Sequence, residues 1–341
     1  MSPVLIVIGV LAALVSAFLL GCYAGRRWGI PVIAKKKRWS IGIYTGTSPL
    51  NLGPAPLADN PVLMALDVTD VRASFVADPF MLRDNGTYCL FFEVMNRRTR
   101  RGEIGHATSA DGMKWRYQGI VLREPFHLSY PYVFKWEGQY YLMPESYQAR
   151  AVRLYEATEF PGKWKLARVL VEGDGLVDPS ILRYDDKWWL FVWSVNDGVL
   201  RLLWADSLMG SWVEHHKSPV VTDDRHHARP GGRAFVWDGR VVRFAQDDYP
   251  RYGVHAFEIT QLTTDTYQET RLVMEPPLHG TGHGWNAAAM HHVDPICLDG
   301  KTWIACVDGR GKGLFFGFRH WSRAVAHRMS QGSHHSPGCR S

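Results

Sequence analysis

The chain has 341 residues, of which 46% are hydrophobic, 13% aromatic and 21% charged. That balance excludes an intrinsically disordered or collagen-like polymer and leaves room for one large β domain or two smaller domains. The net charge of +6 misdescribes the body: all 33 acids lie between residues 41 and 309, against 27 Lys and Arg there, while the other 12 bases sit in two acid-free flanks. The body is therefore acidic, which argues against nucleic acid as a partner.

In chain order, residues 1–25 carry no charged side chain, and the run from Val4 to Tyr23 is almost wholly apolar. A helix of some twenty such residues reaches roughly 30 Å, the thickness of a bilayer core. Bases follow the apolar run at Arg26, Arg27, Lys35, Lys36, Lys37 and Arg38. This predicts one N-terminal transmembrane helix (1–25) and a basic juxtamembrane linker (26–38). The positive-inside rule makes the chain a single-pass membrane protein with its body facing the cytoplasm. A cleaved signal peptide is the alternative, and Leu19-Leu20-Gly21-Cys22 loosely suggests a lipoprotein cleavage site; both ordinarily begin with bases that are missing here. Cys22 and Cys339 lie in the flanks, which leaves Cys89, Cys297 and Cys306, an odd number that supports no disulfide framework and fits a reducing compartment.

The body repeats one strand pair five times. The copies open at Asp78-Pro79-Phe80, Tyr130-Pro131-Tyr132, Asp178-Pro179-Ser180, Gly231-Gly232-Arg233 and Asp294-Pro295-Ile296. Each runs through an Asn-Gly, Glu-Gly, Asp-Asp or Asp-Gly turn into a second apolar run, the mark of a β-hairpin. Between copies recurs Ala107-Thr108-Ser109-Ala110-Asp111-Gly112-Met113-Lys114-Trp115, then Ala157 to Trp164, then Ala205 to Trp212. Each repeat thus supplies about four strands, and repeats of roughly 50 residues with four strands build propeller blades. The fold expected is all-β, a five-bladed β-propeller over residues 39–318, with a basic tail at 319–341. A β-sandwich would need no fivefold repeat.

In a propeller the first strand of each blade lines a central channel. The repeat therefore gathers Asp78, Tyr130, Asp178, Gly231 and Asp294 at one mouth. The ends of the second strands add Glu93, Glu145, Trp193, Gln246 with Asp247, and Asp308. Carboxylates grip sugar hydroxyls, aromatic faces stack on sugar rings, and two carboxyls flanking a glycosidic bond can cleave it. The plain alternative is that each Asp-Pro holds its own turn.

Asp78-Pro79, Asp178-Pro179 and the Ala-x-Ser-x-x-Gly-x-Trp element resemble the five-bladed propellers of glycoside hydrolase families 43 and 32. That resemblance implies Asp78 as base or nucleophile and Asp178 as the carboxylate that tunes its neighbours. The family 43 acid, a Glu opening blade four, has no counterpart: that blade opens Arg229-Pro230-Gly231-Gly232-Arg233. A fuller resemblance is carried by Trp39 to Tyr44, Ala77 to Phe80, His127 to Phe134, Met143-Pro144-Glu145, Gly231-Gly232-Arg233, Gln246-Asp247 and His291 to Asp294. With these the body resembles the N-terminal propeller of glucosamine inositolphosphorylceramide transferases. It implies a glycan- or glycolipid-related propeller at a membrane. In that family the transfer is ascribed to a separate C-terminal glycosyltransferase domain, for which the sequence after the last repeat has no room.

Arg229, Arg233, His226, His227, His283, His291 and His292 fall near the inner strands of blades four and five. They could clamp a phosphate or another anion, a notion strengthened by the similar propeller of phosphate-using mannoside phosphorylases; alternatively the arginines pair with channel carboxylates. Adjacent histidines on a strand point to opposite faces, so no metal centre is expected, and no other cofactor. Gly280 to Gly284 reads as a loop over the channel that leaves His283 and Trp285 open to substrate. His320 to Met329 could form a basic amphipathic helix on an anionic membrane, or a disordered tail.

The sequence thus points to a membrane-anchored propeller with glycosidase-like chemistry on a glycan or glycolipid headgroup, transfer and phosphorolysis remaining open. The expected catalytic set is Asp78, Glu145 as acid, and Asp178. Substrate contacts are expected from Glu93, His127, Tyr130, Trp193, Arg229, Arg233, Asp247, His292 and Asp294. The competing reading is a non-catalytic glycan-binding propeller that presents substrate to a separate glycosyltransferase. A third is a protein-interaction scaffold with a plugged channel.

Overall fold

The computed structural model describes residues 16, 30–222, 224, 226–247 and 252–319, with side chains described between 38 and 311. The expected membrane helix and basic tail fall, but for Ser16 and Arg319, outside the described residues. Among the described residues no helix is long and apolar enough to cross a membrane. The chain divides into two compact units: Lys37–Lys312, which carries the site discussed below, and Met1–Lys36 with Gly313–Ser341.

The strands form five antiparallel sheets, the blades of a five-bladed propeller. Blade 1 is the meander Ala73–Asp84, Thr87–Asn96, Arg101–Ser109 and Arg116–Leu122. Blade 2 is Ser129–Trp136, Gln139–Glu145, Ala151–Glu159 and Lys163–Glu172. Blade 3 is Leu176–Tyr184, Lys187–Ser194, Val199–Ala205 and Val213–Glu214. Blade 4 is Phe235–Trp237, Arg240–Asp247, Gly253–Leu262 and Tyr267–Arg271, with Leu278–His279 added beside the third strand. Blade 5 is composite: Val293–Cys297 and Trp303–Arg319 join Ile30–Ser48 and Asn51–Pro54 from the other end of the chain.

The apolar runs pack between neighbouring blades. Phe91, Tyr132, Leu142, Ile181 and Leu190 belong to one cluster spanning blades 1 to 3, and Ile41, Ile43, Met81, Phe92 and Ile304 join blade 5 to blade 1. Because the inner strands of each blade are covered on both faces, they read as continuous apolar runs, while the outer strands are largely exposed.

The recurring Ser/Asp/Gly/Trp element is a tight turn into each outer strand. In blade 1, Ser109 Oγ accepts the Gly112 N–H at 2.9 Å, Asp111 Oδ1 accepts those of Met113 at 2.8 Å and Lys114 at 2.9 Å, and the indole of Trp115 donates back to Gly112 O at 3.0 Å. These N–H groups hold the Asp111 carboxyl down at about 2. Trp164 and Trp212 close their turns the same way, onto Pro161 O at 2.9 Å and Leu208 O at 3.3 Å.

Candidate active site at the channel mouth

The X-Pro dipeptides of the first three blades are β-bulges. Register slips between Ala77 and Phe80, between Ser129 and Tyr132, and between Val177 and Ser180. In each bulge the residue before Pro is left-handed: φ is 52° at Asp78, 46° at Tyr130 and 49° at Asp178. A non-glycine residue held there stores on the order of 1–3 kcal/mol, which surrounding contacts must offset. The bulge re-aims the side chain into the channel. Blade 4 meets the same demand with Gly232, at φ 146°, where a Cβ would lie 1.8 Å from Val293 O. The first strand of blade 5 has no bulge: Asp294 and Pro295 pair in regular register with Cys306 and Ala305.

Two layers result. The lower one plugs the channel. Tyr130, fully buried, donates its hydroxyl to Gly232 O at 2.9 Å and accepts the Gly232 N–H at 2.7 Å. Arg233 donates to Asp294 Oδ1 at 2.7 Å and Val133 O at 3.0 Å, with its guanidinium 4.6 Å from the Tyr132 ring centre. Asp294 also accepts the Met81 N–H at 2.7 Å. His292 lies between Phe80 and Tyr130, at ring separations of 4.6 and 5.1 Å, and burial pulls its imidazole down to about 4. Tyr130, His292 and Asp294, expected to meet substrate, are therefore buried in this layer, and Arg233, half-buried, is held by Asp294 and Val133 O. Asp294 departs from Asp78 and Asp178 because its strand lacks the bulge.

The upper layer is a sunken cluster of five carboxyls: Asp78, Glu93, Glu145, Asp178 and Asp308, none more than 7% exposed. Ala77 pairs with Glu93, Ser129 with Glu145 and Val177 with Trp193, so the second-strand ends do converge on the bulges. Two cations answer the acids. Arg229 pairs with Asp178, which also accepts the Gln246 amide at 3.0 Å, and its guanidinium lies 5.2 Å from the Trp193 ring. His291 bridges two acids, Nδ1 to Asp308 at 2.7 Å and Nε2 to Asp78 at 3.5 Å, while Asp308 accepts the Asp78 N–H at 3.1 Å. The His291 ring stacks on Trp39 at 4.0 Å and meets Tyr252 edge-on at 5.6 Å.

Five acids facing two cations cannot all ionise. Burial raises Asp78 to about 7, with His291 opposing the rise and Asp308 adding to it. Burial, then the charges of Asp78 and Glu145, push Glu93 well above the carboxylate range; burial, then Asp178, does the same to Glu145. Burial also opposes the ionisation of Asp308, but the His291 imidazolium outweighs it and holds Asp308 low. Burial opposes protonation of His291 in turn, and Asp308 and Asp78 outweigh it. The mouth therefore holds proton donors, Glu145 and Glu93, beside a carboxyl poised near neutrality and an anchored Asp308–His291 pair.

Asp78, Glu145, Asp178, Glu93, Trp193 and Arg229 thus assemble as the sequence implied. His127 stands at their edge, its Nε2 3.6 Å from Glu93 Oε1, an oxygen with no hydrogen-bond partner among the described residues. Asp247 turns to the opposite face from its neighbour Gln246 and is held by His226 at 2.6 Å and His255 at 2.9 Å. Asp308 and His291 form the pair that sequence reading did not assemble, and Trp39 and Tyr252 were not assigned to the mouth. Asp78, His291 and Asp308 each bring a ligand atom within 4.8 Å of one another, a set that could hold a metal ion. Trp285 packs over Gly42 and Gly309, where a Cβ would come within 2.5 Å of its ring, so it is a packing residue of blade 5.

Known proteins match this picture. Solved structures with the same fold include the GH62 α-L-arabinofuranosidase catalytic domain of Coprinopsis cinerea, at TM-score 0.51 and 13% identity over 80% of this chain and 96% of that one. A glycosyl hydrolase from Bacteroides ovatus matches at TM-score 0.54 and 14% identity, over 77% of this chain and 94% of that one. At such identities the likeness shows the fold alone. In sequence, the chain is 38% identical over 297 residues to glucosamine inositolphosphorylceramide transferase 1 of Oryza sativa subsp. indica, covering 80% of this chain. The Arabidopsis thaliana protein of that name is 34% identical over 296 residues. The chain spans about 40% of the length of these curated relatives. A family model described as glucosamine inositolphosphorylceramide transferase 1, N-terminal, matches residues 34–310. The chain belongs to that N-terminal propeller family.

Proposed function

We propose that the channel mouth binds the sugar headgroup of a glycan or glycolipid and performs acid–base chemistry on its glycosidic linkage. The observation that carries this reading is the sunken carboxyl cluster, in which protonated Glu145 and near-neutral Asp78 converge beside fixed Asp178. Glu145 donates a proton to the leaving oxygen, while Asp78 either takes a proton from a water that attacks the sugar carbon or attacks that carbon itself, the glycosyl ester then being released by water; burial, and then Asp178 held by Arg229 and Gln246, keeps Glu145 protonated. The name of the relatives supports a phosphate-linked inositol glycolipid as the substrate class, and with it a membrane setting. In this reading residues 1–25 anchor the chain, with the propeller on the cytoplasmic side.

The second reading is a presenting module without turnover, serving a separate glycosyltransferase. It is favoured by Arg229, which occupies the opening of blade 4 and neutralises Asp178 where the resembling hydrolases place an acid. Incubating the full chain with glycosyl inositolphosphoryl lipids and following headgroup products by mass spectrometry separates the two. Product lost in Asp78→Asn and Glu145→Gln supports catalysis. Binding without product from the unaltered chain supports presentation, and neither binding nor product sinks both.

A further inference from the structure

On the flank of blade 1 lies a second site, a cleft of about 960 Å³ lined by Asp70, Arg72, Arg97, Arg98, Glu103 and Arg123 among others. Its frame is built from hydrogen bonds. The turn Arg97–Arg100 is pinned by the Arg97 N–H to Arg72 O at 2.8 Å, the Arg98 N–H to Asn96 Oδ1 at 2.8 Å, and the Arg100 N–H to Asn96 O at 2.9 Å. The two acids are already satisfied within the protein. Asp70 accepts the Tyr117 hydroxyl at 2.7 Å and the Ile120 N–H at 2.9 Å; Glu103 accepts the Asn96 amide at 2.8 Å and Arg123 Nε at 2.9 Å. Arg72, Arg97 and Arg98 are exposed and have no carboxylate partner among the described residues. Arg38 stands close enough for burial, and then the Arg97 charge, to lower its guanidinium.

A cleft whose lining acids already have partners within the protein, while Arg72 and the turn residues Arg97 and Arg98 have no carboxylate partner among the described residues, suits an anion with several acceptor oxygens. The geometry points to a phosphate-binding site, for a phosphomonoester or phosphodiester group, held by Arg72, Arg97 and Arg98. The volume fits a small headgroup. The site neighbours the mouth: the strand leaving the turn passes Gly102, whose N–H is accepted by His127 Nδ1 at 2.8 Å and where a Cβ would lie 2.9 Å from Glu93 Oε1. The inference does not rest on chemistry at the mouth.

The test titrates the full chain, in detergent micelles, with inorganic phosphate and with soluble glycerophosphoinositol, and separately measures its binding to vesicles of phosphatidylcholine with and without phosphatidylinositol. Arg97→Ala with Arg98→Ala, both at exposed positions, should weaken phosphate binding about tenfold, roughly half of it per side chain on a logarithmic scale. Asp78→Asn should leave it unchanged, which separates this site from the mouth. Tight binding of the soluble probes assigns the site to a free phosphate ester; binding only to inositol-lipid vesicles, lost in the double variant, assigns it to a lipid headgroup. Equal binding by the double variant and the unaltered chain, with matching near-ultraviolet spectra, overturns the inference, as does chloride displacing phosphate at equal concentration.

Discussion

Replacing Asp78 by Asn should stabilise the protein while disabling its mouth. The carboxyl releases its proton at about 7 in the fold and at an ordinary 3.8 once unfolded. At roughly 1.4 kcal/mol for each tenfold change in the proton equilibrium, the ionised form costs the fold on the order of 4 kcal/mol. The folded state binds the extra proton between those values, so this residue favours the fold fully below 3.8, loses that advantage as pH rises through 7, and is level above it. Asn is nearly isosteric, carries no charge and tolerates the left-handed φ of 52°. Denaturant unfolding of the full chain should therefore show Asp78→Asn matching the unaltered protein near about pH 4 and exceeding it by about 4 kcal/mol near about pH 8. The corresponding gain in melting temperature is on the order of 5–10 °C. A stability difference that does not change with pH would refute the reasoning, because it would mean that Asp78 ionises as freely in the fold as in the open chain.

Three further substitutions probe the architecture. Arg229→Met removes the partner of buried Asp178 and should cost roughly 3–5 kcal/mol at neutral pH, seen as a denaturation midpoint that recovers on acidification. Gly232→Ala places a Cβ against Val293 O at a left-handed site, and circular dichroism should show loss of the cooperative transition rather than a modest shift. Tyr130→Phe removes the paired bonds to Gly232 and should cost about 1–3 kcal/mol without altering the pH dependence assigned to Asp78; a changed pH profile would place Tyr130 in the mouth after all.

The blades were legible because each copy of the hairpin carries its own turn signal, and the X-Pro pairs marked the inner strands, although in blade 1 the pair sits in mid-strand. What escaped was register. Asp78-Pro79, Asp178-Pro179 and Asp294-Pro295 read alike, yet only the first two sit in bulges, and one residue of slip moves a side chain between layers. Gln246 and Asp247 posed the same ambiguity, which strand alternation settles in favour of Gln246 at the mouth. The Asp308–His291 pair joins residues 17 apart across blade 5. Its neighbour Trp39 arrives from the opposite end of the chain, and no local pattern announces such a meeting. The outer strands of blade 5 were hidden for the same reason: Ile41 and Ile43 alternate as a strand should, but nothing near them names the partner.

Blade 5 works as a latch. The segment synthesised early, around Ile41 and Ile43, pairs at once with residues 51–63, but its second strand neighbour arrives only when the strand starting at Trp303 has emerged, so four blades must wait with one edge open. That late strand also carries Asp308, the acid that fixes His291 against Asp78. Ring closure and completion of the mouth are thus one event. A truncated chain would lack the counter-charge as well as the clasp, so its carboxyls could not settle into their working protonation states.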